Sequence, residues 1–240
     1  MEEKKYISGF PVSSPEEQGI PSCAIIHFFE QLRERDLELH SLQVVRNGYL
    51  CVNTVAAPYT MDSFHRIFSA AKGVVATAIL FGVQDGFFKI DDLVVPLLPK
   101  EWIPDDLDEK WNRLTIYHLL TMTTGHDHDT LFRMWNISDC WIKTFFEEKP
   151  AYEPGTVFCY DMGAQYVMNE LVAIKAGKNL GEYLREKLFD KLGIEFTYQL
   201  TEPEGHYFSS RMQFHPDALT KLSQFYIQKG MWNGEQLLRE

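Results

Sequence analysis

The sequence predicts an α+β fold in which a β region and a helical region occupy separate parts of the chain. Residues 41–52 contain an Asn-Gly pair between two apolar runs, which is a strong hairpin signal. From residue 69 to about residue 198, apolar residues recur mostly at helical spacing. The composition is that of a globular protein, because 45% of the 240 residues are hydrophobic and 14% are aromatic.

The first predicted elements are a helix and a hairpin. Ser22 is a candidate N-cap for a helix that runs to about Arg35. The two strands of the hairpin then join at Asn47-Gly48. We predict that residues 1–68, which contain this helix and hairpin, form the first part of an α/β subdomain.

A mainly helical subdomain is predicted over residues 69–198. Its first helix starts near Ser69 and continues through residues 73–83, which are apolar on every face and are therefore expected to be buried. Asp85-Gly86 ends this helix. The remaining segments with helical spacing are residues 115–120, with Gly125 as the stop, 165–176, 180–188 and 217–228. The last of these lies in residues 199–240, where we expect the chain to return to the α/β subdomain.

The charge and the N-terminus exclude several classes of partner. A net charge of −11 argues against nucleic acid or an anionic membrane as the main partner. No apolar stretch follows residues 1–5, and residues 74–83 are too few to span a bilayer. We therefore expect a cytoplasmic protein without a membrane span, and the sequence does not predict its oligomeric state.

Several reactive or metal-binding side chains are expected to have ordinary roles. Residues 126–129 (His-Asp-His-Asp) could bind a metal, but a polar loop of this kind is more often solvated surface. The four cysteines are far apart and are expected to be reduced: Cys23, Cys51, Cys140 and Cys159. Four tryptophans could line a substrate cleft, although core packing is the more common use: Trp102, Trp111, Trp135 and Trp141.

Ser69 and Lys72 are the candidates for chemistry. Residues three apart on a helix share a face, so the Lys72 amine can reach the Ser69 hydroxyl. A serine hydroxyl needs such a base to become a nucleophile, and the start of a helix favours a developing oxyanion. Serine is also a common helix N-cap, and chance supplies one such pair in a chain of this size, so the spacing alone leaves both interpretations open.

Five ordered segments add a family resemblance. They are Arg66–Lys72, Asp85-Gly86 with Asp91-Asp92, Leu119–Gly125, Pro154–Tyr160 and Tyr183–Ile194. In this order and spacing they resemble the serine beta-lactamase-related hydrolases, the group similar to class C beta-lactamases, D-alanyl-D-alanine carboxypeptidases and their esterase relatives. The resemblance covers nearly the whole chain and implies a helical domain packed on an antiparallel sheet, with the site in the cleft between them.

The resemblance also implies roles for three residues. Ser69 corresponds to the acylated nucleophile, Lys72 to its hydrogen-bonded base and Tyr160 to the tyrosine that shuttles protons. It implies a small-molecule ester or amide substrate of beta-lactam, D-alanyl-peptide or simple ester type, and no metal or cofactor. Which of these substrate types is used cannot be read from the sequence.

Two departures from the family pattern limit these expectations. Met162 replaces a polar residue that usually contacts substrate or lysine, and a thioether is a weak acceptor; Asp161 could compensate if it turns inward. Family members continue beyond the segment that resembles residues 230–238 into strands with a third motif, so we expect the sequence to be an N-terminal fragment. The alternative function is a catalytically impaired fragment or a non-catalytic ligand-binding homologue.

Overall fold

The computed structural model describes residues 6–137, 140–198 and 209–240. The helices are α1 (Ser22–Glu34), α2 (Ala71–Gln84), α3 (Ile116–Leu120), α4 (Leu131–Ile137), α5 (Trp141–Glu147), α6 (Met162–Ala176), α7 (Leu180–Leu184), α8 (Asp190–Leu192) and α9 (Ala218–Ile227). The strands are β1 (Tyr6–Ile7), β2 (Phe10–Pro11), β3 (Ser41–Arg46), β4 (Tyr49–Val55), β5 (His65–Arg66), β6 (Phe196–Thr197), β7 (Gln213–Phe214), β8 (Met231–Trp232) and β9 (Glu235–Gln236). Helices and antiparallel strands thus combine as the predicted α+β class requires.

The predicted N-terminal helix and hairpin are both present. Strands β3 and β4 pair in antiparallel register around Asn47 and Gly48, whose φ angles are 52° and 79°. Only residues that tolerate the left-handed region suit such a turn. The expected N-cap at Ser22 is wrong, because Ser22 is the first helical residue and its backbone N–H donates to the Glu16 carboxylate at 2.9 Å.

The core lies around α2 and α6, which pack against each other. Helix α2 ends at Gln84 beside Asp85, and Gly86 follows in the left-handed region, as the sequence predicts. The predicted helix over residues 180–188 is interrupted, since α7 gives way to a π-helical turn at Arg185–Phe189. The helical region therefore surrounds the helix that the sequence identified as buried.

The described strands form small separate sheets rather than one large sheet. The sheet with the most strands has the order β5-β7-β6, so it joins residues 65–66 to residues 196–197 and 213–214, far along the chain. Helix α9 contacts both regions through side chains: Thr220 donates to Gln43 of β3, and the hydroxyls of Tyr226 and Thr77 of α2 lie 2.7 Å apart.

The predicted division of the chain into subdomains, with boundaries after residues 68 and 198, stays a prediction.

Two further expectations concern membranes and localisation. Among the described residues, no helix combines the length and the apolar character needed to cross a bilayer. The first five residues, on which the expectation of a cytoplasmic protein depends, lie outside the described part of the chain.

Candidate active site

Ser69 lies in a tight turn that leads directly into the buried helix α2. The turn is a single 3₁₀ segment, Phe68–Ala70, and α2 begins at the next residue. Phe68 has a φ angle of +44°, an unfavourable conformation for a bulky L-residue and one that is typical of strained functional turns. A backbone hydrogen bond from Ile67 to Met212 anchors this turn at 3.3 Å, and the Ser69 side chain remains exposed.

The three side chains singled out in the sequence meet at this turn. The Ser69 Oγ and the Tyr160 hydroxyl are 2.6 Å apart, although the residues are 91 positions apart in sequence. Lys72 donates from Nζ to Ser69 Oγ at 3.4 Å, and the same Nζ lies 4.4 Å from the centre of the Tyr160 ring. A hydroxyl, a phenol and an ammonium group therefore form one contact network at the start of α2.

This network changes the acidity of the phenol. Hydrogen bonding to Lys72, and then to Ser69, lowers the pKa of Tyr160 from its ordinary value, and the positive charge of Lys72 acts in the same direction. Partial burial and the negative charge of Asp129 oppose the shift without reversing it. A lowered pKa increases the fraction of Tyr160 that is present as phenolate, the form that can accept a proton.

Backbone pairing between two loops places Tyr160. Three N–H groups in the loop that leads to Tyr160 donate to carbonyls of the loop after α3: Tyr152 to Gly125 at 2.9 Å, Gly155 to Thr123 at 2.7 Å and Cys159 to Met122 at 2.9 Å. These loops contain two of the five segments that carry the family resemblance. The two segments are far apart along the chain, so the sequence does not indicate that they form one structural unit.

Two glycines make this close loop pairing possible. Gly125 has a φ angle of +109°, and a Cβ at this position would lie 2.6 Å from the Tyr152 carbonyl oxygen. Gly155 has a φ angle of +90°, and a Cβ there would lie 2.8 Å from His118 Nε2. Both positions therefore combine a left-handed backbone with a contact that leaves no room for a side chain.

Asp161 anchors the other side of Tyr160. Its carboxylate is fully buried and accepts hydrogen bonds from the Thr130 backbone at 3.0 Å, the Thr130 hydroxyl at 2.8 Å and the Gly163 backbone at 2.8 Å. His126 Nδ1 lies 3.0 Å from the second carboxylate oxygen. Asp161 is thus engaged in capping α6 and joining loops, and it does not take over the contact that Met162 lacks.

His126 corrects one expectation from the sequence. The loop of residues 126–129 was expected to be solvated, but the His126 side chain is fully buried between Asp161 and the aromatic ring of Trp111, whose centre is 4.9 Å away. Burial would raise the pKa of Asp161, but hydrogen bonding and charge from His126, with the Thr130 donors, hold it below its ordinary value. A buried carboxylate stays ionised only with such partners.

The other candidate metal ligands and cysteines have local roles. Within the described residues, no three His, Cys, Asp or Glu side chains are grouped so that they could hold a metal ion. His128 Nδ1 lies 2.7 Å from Asp127, and Asp129 accepts the Met162 backbone N–H at 3.0 Å. Burial raises the pKa of Cys159, which disfavours a thiolate.

The site joins a serine at the start of a buried helix to a lysine and a tyrosine whose side chains contact its hydroxyl. Serine acyl transfer needs groups of this kind.

Comparison with known proteins identifies the family. Residues 26–220 match the model of the beta-lactamase family, so the chain belongs to this family. It is 27% identical to penicillin-binding protein 4 of Amycolatopsis lactamdurans over 189 residues, which are 78% of this chain and 46% of that protein. It is 23% identical to acyltransferase calJ of Penicillium decumbens in an alignment over 188 residues that covers 68% of this chain and 45% of that protein.

A solved structure shows the same fold. The beta-lactamase/D-alanine carboxypeptidase of Pseudomonas syringae superposes with a TM-score of 0.69 at 14% identity, covering 89% of this chain and 67% of that one. The chain spans about half the length of the curated relatives it matches.

Proposed function

We propose that the protein is a serine hydrolase that forms an acyl-enzyme on Ser69, with Lys72 and Tyr160 as its proton-transfer groups. The observation that carries this proposal is the 2.6 Å contact between the Ser69 and Tyr160 hydroxyls beside the Lys72 ammonium. A serine hydroxyl is a weak nucleophile until a neighbouring group accepts its proton. Here that group is within hydrogen-bond reach, as general-base catalysis requires.

In the acylation step, Ser69 Oγ attacks the carbonyl carbon of the substrate while its proton passes to the Tyr160 oxygen. Lys72 stabilises the phenolate form of Tyr160 by hydrogen bonding and charge, so Tyr160 is the base and Lys72 assists it. The backbone N–H of Ser69, at the positive end of the α2 dipole, would donate to the developing oxyanion. Tyr160 then returns the proton to the leaving alcohol or amine, and the carbonyl bond to that group breaks.

Deacylation uses the same groups, but water is now the nucleophile and Ser69 Oγ is the leaving group. A water molecule takes the place of the leaving group, Tyr160 accepts its proton, and the resulting hydroxide attacks the acyl carbon. The proton then returns to Ser69 Oγ as the acyl–oxygen bond breaks. Tyr160 is 45% exposed, which supports access for this water.

The substrate proposed is a small ester or amide. The family to which the chain belongs and the names of its relatives support acyl transfer, but these names cover different substrates. The non-catalytic alternative, in which the cleft only binds a ligand, has no specific contact in its favour.

Turnover of p-nitrophenyl acetate tests the proposal. We expect steady hydrolysis by the protein and its loss in Ser69→Ala, because this variant lacks the proposed attachment point of the acyl group. A Ser14→Ala variant, which removes a hydroxyl from the exposed N-terminal segment, is the matched control and should hydrolyse the ester normally. Equal rates in Ser69→Ala and in the unchanged protein would overturn the proposal.

A further inference from the structure

A pocket of about 500 Å³ lies where three hairpin turns meet the C-terminal end of helix α9. The turns join β1 to β2, β3 to β4 and β8 to β9, and each contributes a glycine to the lining: Gly9, Gly48 and Gly234. A Cβ added at any of these glycines would meet no atom within 4 Å, so the turns leave the pocket open. The volume is within the range of small-molecule sites, and the three proposed catalytic residues are not part of the lining.

Three side-chain amides line one part of this pocket. Gln224 is in the last turn of α9, Gln228 follows directly after the helix, and Asn233 is in the turn between β8 and β9. In the part of the chain that the structure describes, no hydrogen bond engages any of these three side chains. Each amide offers both donors and an acceptor, so together they can bind groups that need both, such as alcohol hydroxyls.

Aromatic rings form another part of the lining. The half-buried Trp232 ring packs against the buried Phe10 ring, with centres 6.3 Å apart and planes at 85°, so the position of the indole is fixed. Tyr6, in contrast, is 61% exposed. Tryptophan and tyrosine combine a large apolar surface with a polar tip, which suits a ligand that has both apolar and hydrated parts. The pocket therefore places a fixed indole beside uncommitted amides.

The charge of the lining restricts the ligand. None of the described residues that line the pocket is charged, although charged residues make up 24% of the chain. An anionic or cationic ligand would lose hydration there without gaining a counter-charge, so a neutral ligand is favoured. An extended peptide is commonly bound by backbone pairing with a strand edge, whereas this pocket presents side-chain amides from a helix end and a turn. A sugar ring, with hydroxyls at its rim and C–H groups on its faces, matches these groups better.

We propose that this pocket is a binding site for a neutral saccharide. The three amides hydrogen-bond the sugar hydroxyls, and the Trp232 indole packs against a C–H face of the sugar ring. No bond is made or broken in the sugar, so the site adds a binding function to the chain. It is independent of the proposed hydrolysis, because it uses none of the groups assigned to that reaction.

Titration with maltotriose, cellotriose and N,N′,N″-triacetylchitotriose, followed by calorimetry and tryptophan fluorescence, tests the proposal. We expect at least one of these neutral sugars to bind at millimolar concentration or below and to change the fluorescence of Trp232. Gln228→Ala should weaken that binding by about three- to tenfold through lost hydrogen bonds, and Trp232→Ala by about tenfold or more through lost stacking. Gln228 is exposed, so its truncation should not impair folding.

The matched control is Gln31→Ala, the same change on helix α1, which should bind the sugar with unchanged affinity. Ser69→Ala should also keep the full affinity, so the outcome is separate from that of the ester assay. Failure of all three sugars to bind the folded protein would overturn the saccharide site. Binding that neither Gln228→Ala nor Trp232→Ala weakens would also overturn it, as would tighter binding of the neutral peptide N-acetyl-triglycine amide that the same two variants weaken.

Discussion

Helices α1 and α2 have nearly the same length but very different surroundings. They comprise 13 and 14 residues, and both carry many apolar side chains. Helix α2 buries eight of its residues, whereas α1 buries none and leaves Ile26, Phe28 and Phe29 exposed. Apolar periodicity therefore identifies a helix, but the neighbouring elements decide whether its apolar face becomes part of a core.

This difference bears on the candidate site. Ser69 and Lys72 lie at the start of α2, the helix that the surrounding core holds on most sides, and none of the proposed catalytic groups lies in the helix and hairpin of residues 22–55. Catalytic side chains must be held within fractions of an ångström of their working positions. A rigid helix is therefore a better support for them than a loosely packed one. The helical region should accordingly determine both catalysis and stability.

The largest expected effect concerns Tyr160 and tests whether catalysis is confined to the helical region. Tyr160→Phe removes the proton acceptor and should lower kcat by about 100- to 10,000-fold. The same change in the hairpin, Tyr49→Phe, should leave kcat within about twofold. Steady-state ester hydrolysis measures kcat of both variants. Similar losses of kcat in the two variants would contradict the proposal that catalysis is confined to the helical region.

The pH profile refines this prediction. In the proposed mechanism the phenolate is the active form, and the pKa of Tyr160 is lowered, so kcat/KM should rise with pH and level off below the ordinary tyrosine pKa of about 10. Lys72→Met removes the group that contributes most to this shift, so the inflection should move to higher pH. An unchanged inflection in Lys72→Met would disprove the role given to the lysine.

The buried Asp161 should be among the most costly positions for stability. Asp161→Ala leaves His126 and the Thr130 donors without their acceptor, which should lower the free energy of unfolding by about 3 to 5 kcal/mol at pH 7. Asp62→Ala, at an exposed aspartate of the N-terminal region, should change it by less than about 0.5 kcal/mol. Urea denaturation at equilibrium measures both values.

The sign of the pH effect follows from the lowered pKa of Asp161. The ionised carboxylate is favoured in the folded state, so its contribution is complete above the ordinary aspartate pKa and is lost as the pH falls through the folded-state value. The stability difference between the unchanged protein and Asp161→Ala should therefore shrink in acid. A difference that grows in acid would contradict the proposed ionisation.

A matched pair of isoleucines tests the comparison of α1 with α2 directly. Ile79 of α2 is fully buried, so Ile79→Ala should cost about 3 kcal/mol of unfolding free energy through lost burial and cavity formation. Ile26 of α1 is 58% exposed, and Ile26→Ala should cost less than about 1 kcal/mol. Equal costs by urea denaturation would mean that α1 is packed against a partner in solution.

The smallest effect is expected at Glu170, where the helical region carries an unfavourable group. Burial raises the pKa of Glu170 to about 6, although a hydrogen bond with Tyr166 opposes the shift. Its charged form is therefore less stable when folded, and Glu170→Gln should raise the free energy of unfolding at pH 7.5 by up to about 2 kcal/mol. The gain should vanish near pH 4, and thermal unfolding at the two pH values measures it.

Much of the fold could be predicted because its signals are local. The hairpin turn at Asn47-Gly48 and the uniformly apolar residues 73–83 define their elements without reference to distant parts of the chain. The end of α7 could not be predicted in this way, because the change to a π-helical turn at Arg185–Phe189 has no local composition signal.

The candidate site was predictable only in part. Ser69 and Lys72 are neighbours through helical spacing, whereas Tyr160 joins them through loop pairing between distant segments, and only the family resemblance indicated it. The burial of His126 and the strained φ angle of Phe68 depend on packing around them, so no spacing rule reveals them. Glycines at positions 125 and 155 were the available signal for the loop pairing.

Mass spectrometry after treatment with a fluorophosphonate tests the central claim most directly, because this reagent reacts preferentially with activated serines. We predict one adduct per chain, located on the peptide that contains Ser69, and no adduct in Ser69→Ala. Slower labelling in Tyr160→Phe would be expected from the loss of the proton acceptor. An unlabelled Ser69 in the folded protein, or equal labelling of the Ser69→Ala variant, would contradict the assignment of Ser69 as the nucleophile.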